Sequence, residues 1–300
     1  MATLFNHLGL EEPPKLETWR ASETDAGFLP ALCDRDDEQT TFEQSFDEGE
    51  RRSAGAPKSC VLLGDFGARG DLFIERLRKG FLAANASYLA AATPGVAAGV
   101  KSLSINWPVK WPRRHRLQPI IEALFRALLR PWPRDDQRNA AGLAELVAGV
   151  RENMLLVHHP IPPERWSADT SKLIVDYLGL WREVVVALAP PRKHVIIVFN
   201  ITWPPTIDGR TSHRVNADIA LLEEKTDRSR VLPLLKAIRL PLVNQKHVID
   251  WANAFADREL ALRTKDYCRK LFETAAERQL DDVVDQHFRA LNDTRQENIA

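Results

Sequence analysis

Three hundred residues with 44% apolar side chains suffice for one large or two ordinary domains with a buried core. Lys plus Arg (41) equals Asp plus Glu (41), so no global field draws the chain to nucleic acid or acidic membrane, and a charged partner must meet a local patch. Cys33, Cys60 and Cys268 are isolated, no basic-then-apolar leader opens the chain, and no apolar run nears the roughly 18 residues of a membrane span; the expectation is a soluble protein in a reducing cytoplasm.

Residues 1–31 have weak periodicity and a polar, Pro-containing character, and are expected to form an arm or docking segment. Within it Leu4, Phe5 and Leu8 are spaced for one helical face with little nearby sequence to bury it, which makes them candidate protein contacts. Next, Asp36 or Asp37 is placed to cap a helix carrying Phe42 and Phe46 on one side. A charged, then Gly/Pro-containing connection leads into an apolar strand at 59–63. After a glycine-rich turn, Leu72, Phe73, Leu77, Phe81 and Leu82 recur at helical spacing.

Leu103 and Ile105 alternate with Ser102, Ser104 and Asn106, the pattern of a strand near a sheet edge. The following stretch, 107–116, mixes tryptophans with Lys110, Arg113, Arg114 and Arg116. It reads either as a surface loop whose tryptophans pack or as a candidate basic patch for nucleic acid, and one short patch in a neutral chain disfavours the latter. Helices with core-facing stripes are expected at 118–129 and 137–152, then an apolar strand at 154–157 and a helix capped by Asp169. Val195 to Phe199 form another strand buried on both faces, and the connection 201–214, with Trp203, is expected to be an exposed loop and a further candidate contact. A strand at 231–240 and two helices, begun by Asn244 and Asp257, close the chain.

The chemistry turns on the stretch Gly64-Asp65-Phe66-Gly67-Ala68-Arg69-Gly70-Asp71 between the first strand and its helix. Strand, glycine-rich loop and helix is the order of a phosphate-binding P-loop, G-x-x-x-x-G-K-[ST]. On that pattern Gly64 takes the first glycine, but Arg69 stands at the second, Gly70 replaces the lysine and Asp71 the hydroxyl residue. The lysine that reaches the terminal phosphates and the hydroxyl that holds magnesium are both gone. Asp71 is instead expected to cap the helix, placing negative charge where phosphate would sit. The alternative is that Gly64, Gly67 and Gly70 only make a tight turn.

The run Met154-Leu155-Leu156-Val157 occupies the place where an NTPase ends a strand in a metal-binding carboxylate, yet it ends in His158-His159-Pro160. Adjacent strand residues point to opposite faces, so the two histidines do not chelate one metal. Asn200 ends its strand where related NTPases carry a phosphate-sensing side chain, though a turn cap is the simpler expectation. No G-x-S-x-G elbow or Cys–His context marks a nucleophile, and Cys60 lies in a buried strand.

Strands alternating with helices predict an α/β fold, a three-layer parallel sheet. With Leu32-Cys33-Asp34-Arg35-Asp36-Asp37-Glu38-Gln39 and Phe42 ahead of it, the decayed loop, and the closing stretch from Leu232 to Trp251, the chain resembles the inactive STAND domains of bacterial signalling and conflict proteins. That resemblance implies a P-loop NTPase-like fold with both nucleotide motifs lost, over 32–257, followed by C-terminal helices at 258–300 packed on it. It also implies a non-enzymatic adaptor or regulator with no cofactor or metal, whose partner is another protein, such as a protease or other effector of the same pathway. The alternatives are an NTPase or kinase with an atypical loop and a nucleic-acid-binding regulator. The loop 107–116 and the helices after Asp257 do not map onto the family.

Overall fold

Strands that are apolar on both faces demand a sheet covered twice, and the chain builds one. The computed structural model describes residues 35–52, 55–65, 67–92, 97–108, 117–128, 139–188, 193–203, 209–229, 231–255, 258–273, 275, 277–278 and 280–297. Helix α1 (Asp36–Arg52) leads into β1 (Lys58–Asp65); α2 (Gly70–Leu77) continues through a π-helical turn at Arg78–Leu82 into α3 (Ala83–Ala92), and β2 (Ala97–Ser104) follows. Then come α4 (Gln118–Ala127), α5 (Ala140–Ala148), β3 (Glu152–Pro160), α6 (Ala168–Ala187), β4 (His194–Trp203), α7 (Gly209–Arg228) and β5 (Leu235–Leu240). The chain closes with β6 (Val243–Asn244), α8 (Gln245–Phe255), α9 (Arg258–Phe272), β7 (Glu277–Arg278) and α10 (Leu280–Glu297).

Among the described residues β1 to β5 form one all-parallel sheet in the order β2-β3-β4-β1-β5. It is an α/β, three-layer architecture around a parallel sheet, with a helical lead-in and C-terminal helices. The expected edge strand is β2. The pleat sends Val61, Leu63, Leu155, Val157, Ile197 and Phe199 to one face, under α4 to α7, where Trp181, Tyr177 and Leu124 are fully buried. Cys60, Leu62, Met154, Leu156, Ile196 and Val198 go to the other, under α1 to α3. There Phe42 and Phe46 meet Phe81 edge-on at 5.8 and 5.4 Å, so the predicted stripe of α1 is what docks the lead-in helix. Each fully buried Leu or Phe contributes roughly 1.5–3 kcal/mol of apolar transfer.

A third cluster belongs to the C-terminal helices, built from Val243, Val248, Trp251, Leu260, Cys268, Val283 and their neighbours. It draws on residues from both sides of the 257/258 boundary expected from sequence, and the antiparallel pair β6–β7 ties it together. No described helix is long and apolar enough to cross a membrane.

Several local expectations change. The cap of α6 is Ser167 in a capping box with Thr170, which leaves Asp169 inside the first turn. Asn244 does begin α8, accepting the His247 N–H at 3.0 Å. The stretch read as a connection beyond 201 holds a further pleat of β4 and then α7, whose Val215, Ile219 and Leu222 are buried among charged neighbours. Trp203, expected on an exposed loop, is the last residue of β4 and 7% exposed within the core cluster under α7. Pairing with Asp65 of β1 extends β4 that far.

Candidate functional site

The C-terminal end of the sheet is where an open α/β fold places its ligand site, and the loop after β1 sits there. The turn closes with the Ala68 N–H donating to the Asp65 carbonyl at 2.9 Å, and Gly67 takes φ 86, a conformation open to glycine. Ala68 then packs so tightly on the strand that its methyl lies 2.7 Å from where a Cβ on Gly64 would stand, with Leu240 Cβ at 3.3 Å on the far side. A side chain at Gly64 would therefore push the loop off the sheet.

Arg69, at φ 53 and ψ 56, is the one described non-glycine residue with positive φ. It caps α2 in that left-handed conformation, its carbonyl accepting the N–H groups of Leu72 and Phe73 at 3.0 and 3.2 Å. Asp71, expected as the cap, is instead the second residue of the helix. Its carboxylate is gripped by the Arg69 guanidinium, with Nε at 3.0 Å and Nη2 at 2.9 Å. Burial works to raise the Asp71 carboxyl, but Arg69 and the backbone N–H groups of Leu72 and Asp71 outweigh it and hold the group below its usual range. Residue 69 thus neutralises the charge that residue 71 introduces.

Gly70, where the pattern G-x-x-x-x-G-K-[ST] has its lysine, is covered from β4. The Asn200 Oδ1 lies 2.3 Å from where a Cβ on Gly70 would be, so any side chain at residue 70 requires the Asn200 amide to turn aside. Asn200, expected to cap a turn, lies within β4, and its side chain packs on the loop at Gly70. From the lead-in comes Arg35, 0% exposed, whose Nη2 donates to the Ala68 carbonyl at 3.2 Å. Arg76 of α2 clamps the same lead-in, donating to Gln39 Oε1 at 2.7 Å and pairing with Asp36.

At the end of β3, His158 and His159 part as the pleat requires. His159 is fully buried; its Nδ1–H donates to the Ile105 carbonyl and its Nε2 accepts the Tyr177 hydroxyl, each at 2.9 Å. Trp107 and Phe199 close around the ring, with centroids 5.3 and 5.6 Å away. Burial drives its pKa down to about 3. His158 is on the loop side, half-buried, lowered by burial while the Asp71 and Glu75 carboxylates pull the other way. Among the described residues no group of three or more His, Cys, Asp or Glu is arranged to hold a metal ion. Cys60 and Cys268 are buried free thiols; burial raises Cys60 and pushes Cys268 up to about 12.

Gly64, Gly67, Arg69, Gly70 and Asp71 share the turn between β1 and α2, with Asn200 against Gly70 and His158 near enough to feel the Asp71 carboxylate. Arg35 was missed as part of this site, because an arginine ahead of a helix carries no sequence signal for burial. The candidate contacts Leu4, Phe5 and Leu8 and the basic patch Lys110, Arg113, Arg114 and Arg116 lie outside the described residues.

No protein-family model and no curated protein matches the chain. Among solved structures it is similar to Aeropyrum pernix ORC2 in its ADPNP-ADP complexes, at 13% identity and a TM-score of 0.44, covering 83% of this chain and 66% of that one. It is also similar to Drosophila ORC bound to AT-rich DNA and Cdc6, at 10% identity and a TM-score of 0.39, covering 94% of this chain and 44% of that one. A third is the E. coli MS115-1 HORMA:CdnC:Trip13 complex, at 9% identity and a TM-score of 0.37, covering 92% and 97%. The chain thus spans 66% of the first and 44% of the second.

Proposed function

We propose that this chain is an inactive STAND-type module, a non-catalytic adaptor or regulator of a bacterial defence or signalling pathway that works by protein contacts. The observation carrying this reading is that the former nucleotide loop is filled by the protein's own groups. Asn200 occupies the side-chain space at Gly70, Arg69 binds Asp71, and Arg35 binds the Ala68 carbonyl. The Asp71 carboxylate, at the place of the hydroxyl residue, is held by Arg69, and no lysine stands at residue 70 to reach a phosphate. A fold so closed still presents a stable shaped surface, and its partner is another protein, such as a protease or other effector of the same pathway. Nucleic acid is disfavoured by the balanced charge.

Leu4, Phe5 and Leu8 are the contacts we assign to that partner; buried Trp203 is withdrawn from the set. The test is co-purification of the full chain from its native host, against a chain lacking residues 1–10. The deletion is expected to leave the melting temperature unchanged and to abolish the association. A deletion that unfolds the domain, or that leaves the complex intact, would overturn the assignment.

A further inference from the structure

The decayed loop touches three parts of the molecule at once. On one side is the lead-in, through the buried Arg35 guanidinium on the Ala68 carbonyl. Beneath it is the sheet, through Gly64 against Ala68 and Leu240 and through Asn200 on Gly70. On the far side is the C-terminal helical unit, because Leu72, one residue after Asp71, packs on the cluster of Val243, Val248 and Trp251. The covalent link to that unit leaves from the same place: Leu240 ends β5 against Gly64, and Val243 begins the unit only three residues later.

These contacts form a short continuous path. Arg35 holds the carbonyl of Ala68; the next residue, Arg69, stands in the left-handed conformation and its own carbonyl takes the N–H of Leu72; the Leu72 side chain enters the C-terminal cluster. A left-handed arginine has no glycine-like freedom, so the surrounding contacts hold it there, and moving Ala68 must turn α2 at its first residues. A buried guanidinium cannot shed its charge, and withdrawing it strips Ala68 of its donor.

We propose that the former nucleotide site is a mechanical relay, in which Arg35 couples the lead-in segment to the position of the C-terminal helical unit through Ala68, Arg69 and Leu72. In this arrangement the arginine holds two parts of the molecule in register, and displacing its guanidinium from the Ala68 carbonyl loosens the C-terminal unit. The relay is a property of the fold and stands whatever the identity of the partner.

The test is native-state amide hydrogen exchange on the full chain, read at residues 67–73 and 243–252 and, as a control, at α4 and α5 on the opposite face of the sheet. Arg35→Ala is expected to speed exchange about tenfold in both segments, the effect of losing one charge-assisted hydrogen bond, and to leave the control helices unchanged. In a Leu72→Ala background the same substitution should still speed residues 67–73 but no longer 243–252. Should Arg35→Ala fail to fold, Arg35→Lys keeps the charge but not the planar fork and should give a smaller change of the same pattern. Unchanged exchange at 243–252, an effect there that persists without Leu72, or faster exchange throughout the protein would overturn the relay.

Discussion

The two ends of the parallel sheet are built to opposite plans. At the C-terminal end, where the fold offers a ligand site, Arg35, Arg69, Asp71 and Asn200 satisfy and fill the loop from within. At the N-terminal end a cleft of about 460 Å³ opens between α1 and α7, lined by Arg52, Pro57, Asp227, Ser229 and Leu232 among others. Arg52 spans its rim, pairing with Glu48 at 2.6 Å and with Asp227 at 2.5 Å. Just inside, Lys58 is buried against Glu50 at 2.6 Å, 5.6 Å from the centre of the Phe46 ring. The two ends thus differ in what lines them: the described residues of the loop after β1 are held by side chains from distant parts of the chain, while the other end carries a cleft between two helices.

Substitutions that add one side chain to each end should separate the two most widely. Gly64→Val drives a branched side chain into Ala68 at 2.7 Å and Leu240 at 3.3 Å, and is expected to cost about 2–3 kcal/mol of stability in urea unfolding. Ala56→Val, facing the open cleft, should stay within about 0.5 kcal/mol of the parent. Equal costs at the two positions would erase the distinction.

Next in size is the response to acid. His159 has its folded-state pKa lowered to about 3 from 6.5, so the unfolded chain binds the extra proton first. Its contribution to stability is present above pH 6.5 and is lost as pH falls towards about 3. His158 at the closed end and His194 at the open end are lowered in the same direction, each first by burial. The melting temperature should therefore fall steadily on acidification below pH 6.5, and the His159 ring resonances should not titrate near their ordinary midpoint. A His159 midpoint close to 6.5 would show that the ring is open to water.

The triple variant Arg69→Gly, Gly70→Lys, Asp71→Ser restores the residue types of a P-loop and should still give no turnover. The strand β3 still carries His158 near its end where a carboxylate is needed, and the Asn200 amide has to turn aside for the new side chain at residue 70. Measured hydrolysis would show a better preserved site. The smallest effect belongs to the exposed rim: Asp227→Ala should leave the melting temperature unchanged within error, since exposed ion pairs contribute little.

Much of this was legible in the residues because it rests on short-range pattern. The apolar runs around Cys60, Leu155 and Ile197 announce strands buried on both faces, and the wetter alternation around Leu103 announces an edge. The missing lysine at Gly70 is read directly from spacing. What stayed hidden depends on contacts between distant parts of the chain. Among the described side chains of helix α7 the buried apolar ones are Val215, Ile219 and Leu222, set along a strongly charged run, so its stripe is faint. Trp203 looked like a loop residue because Pro204 and Pro205 follow it, while its burial comes from pairing beside Asp65. Arg35 and Asn200 reach the loop across 33 and 130 residues of sequence, distances at which no local rule operates.

The claim underlying both the closed end and the adaptor reading is that residues 64–71 no longer accept a nucleotide. Isothermal titration of the full chain with ATP and with GTP, each with and without magnesium, tests it most directly. The account predicts no saturable heat up to millimolar nucleotide. Saturable, magnesium-dependent binding at micromolar concentration, lost on Asp71→Ala, would contradict it.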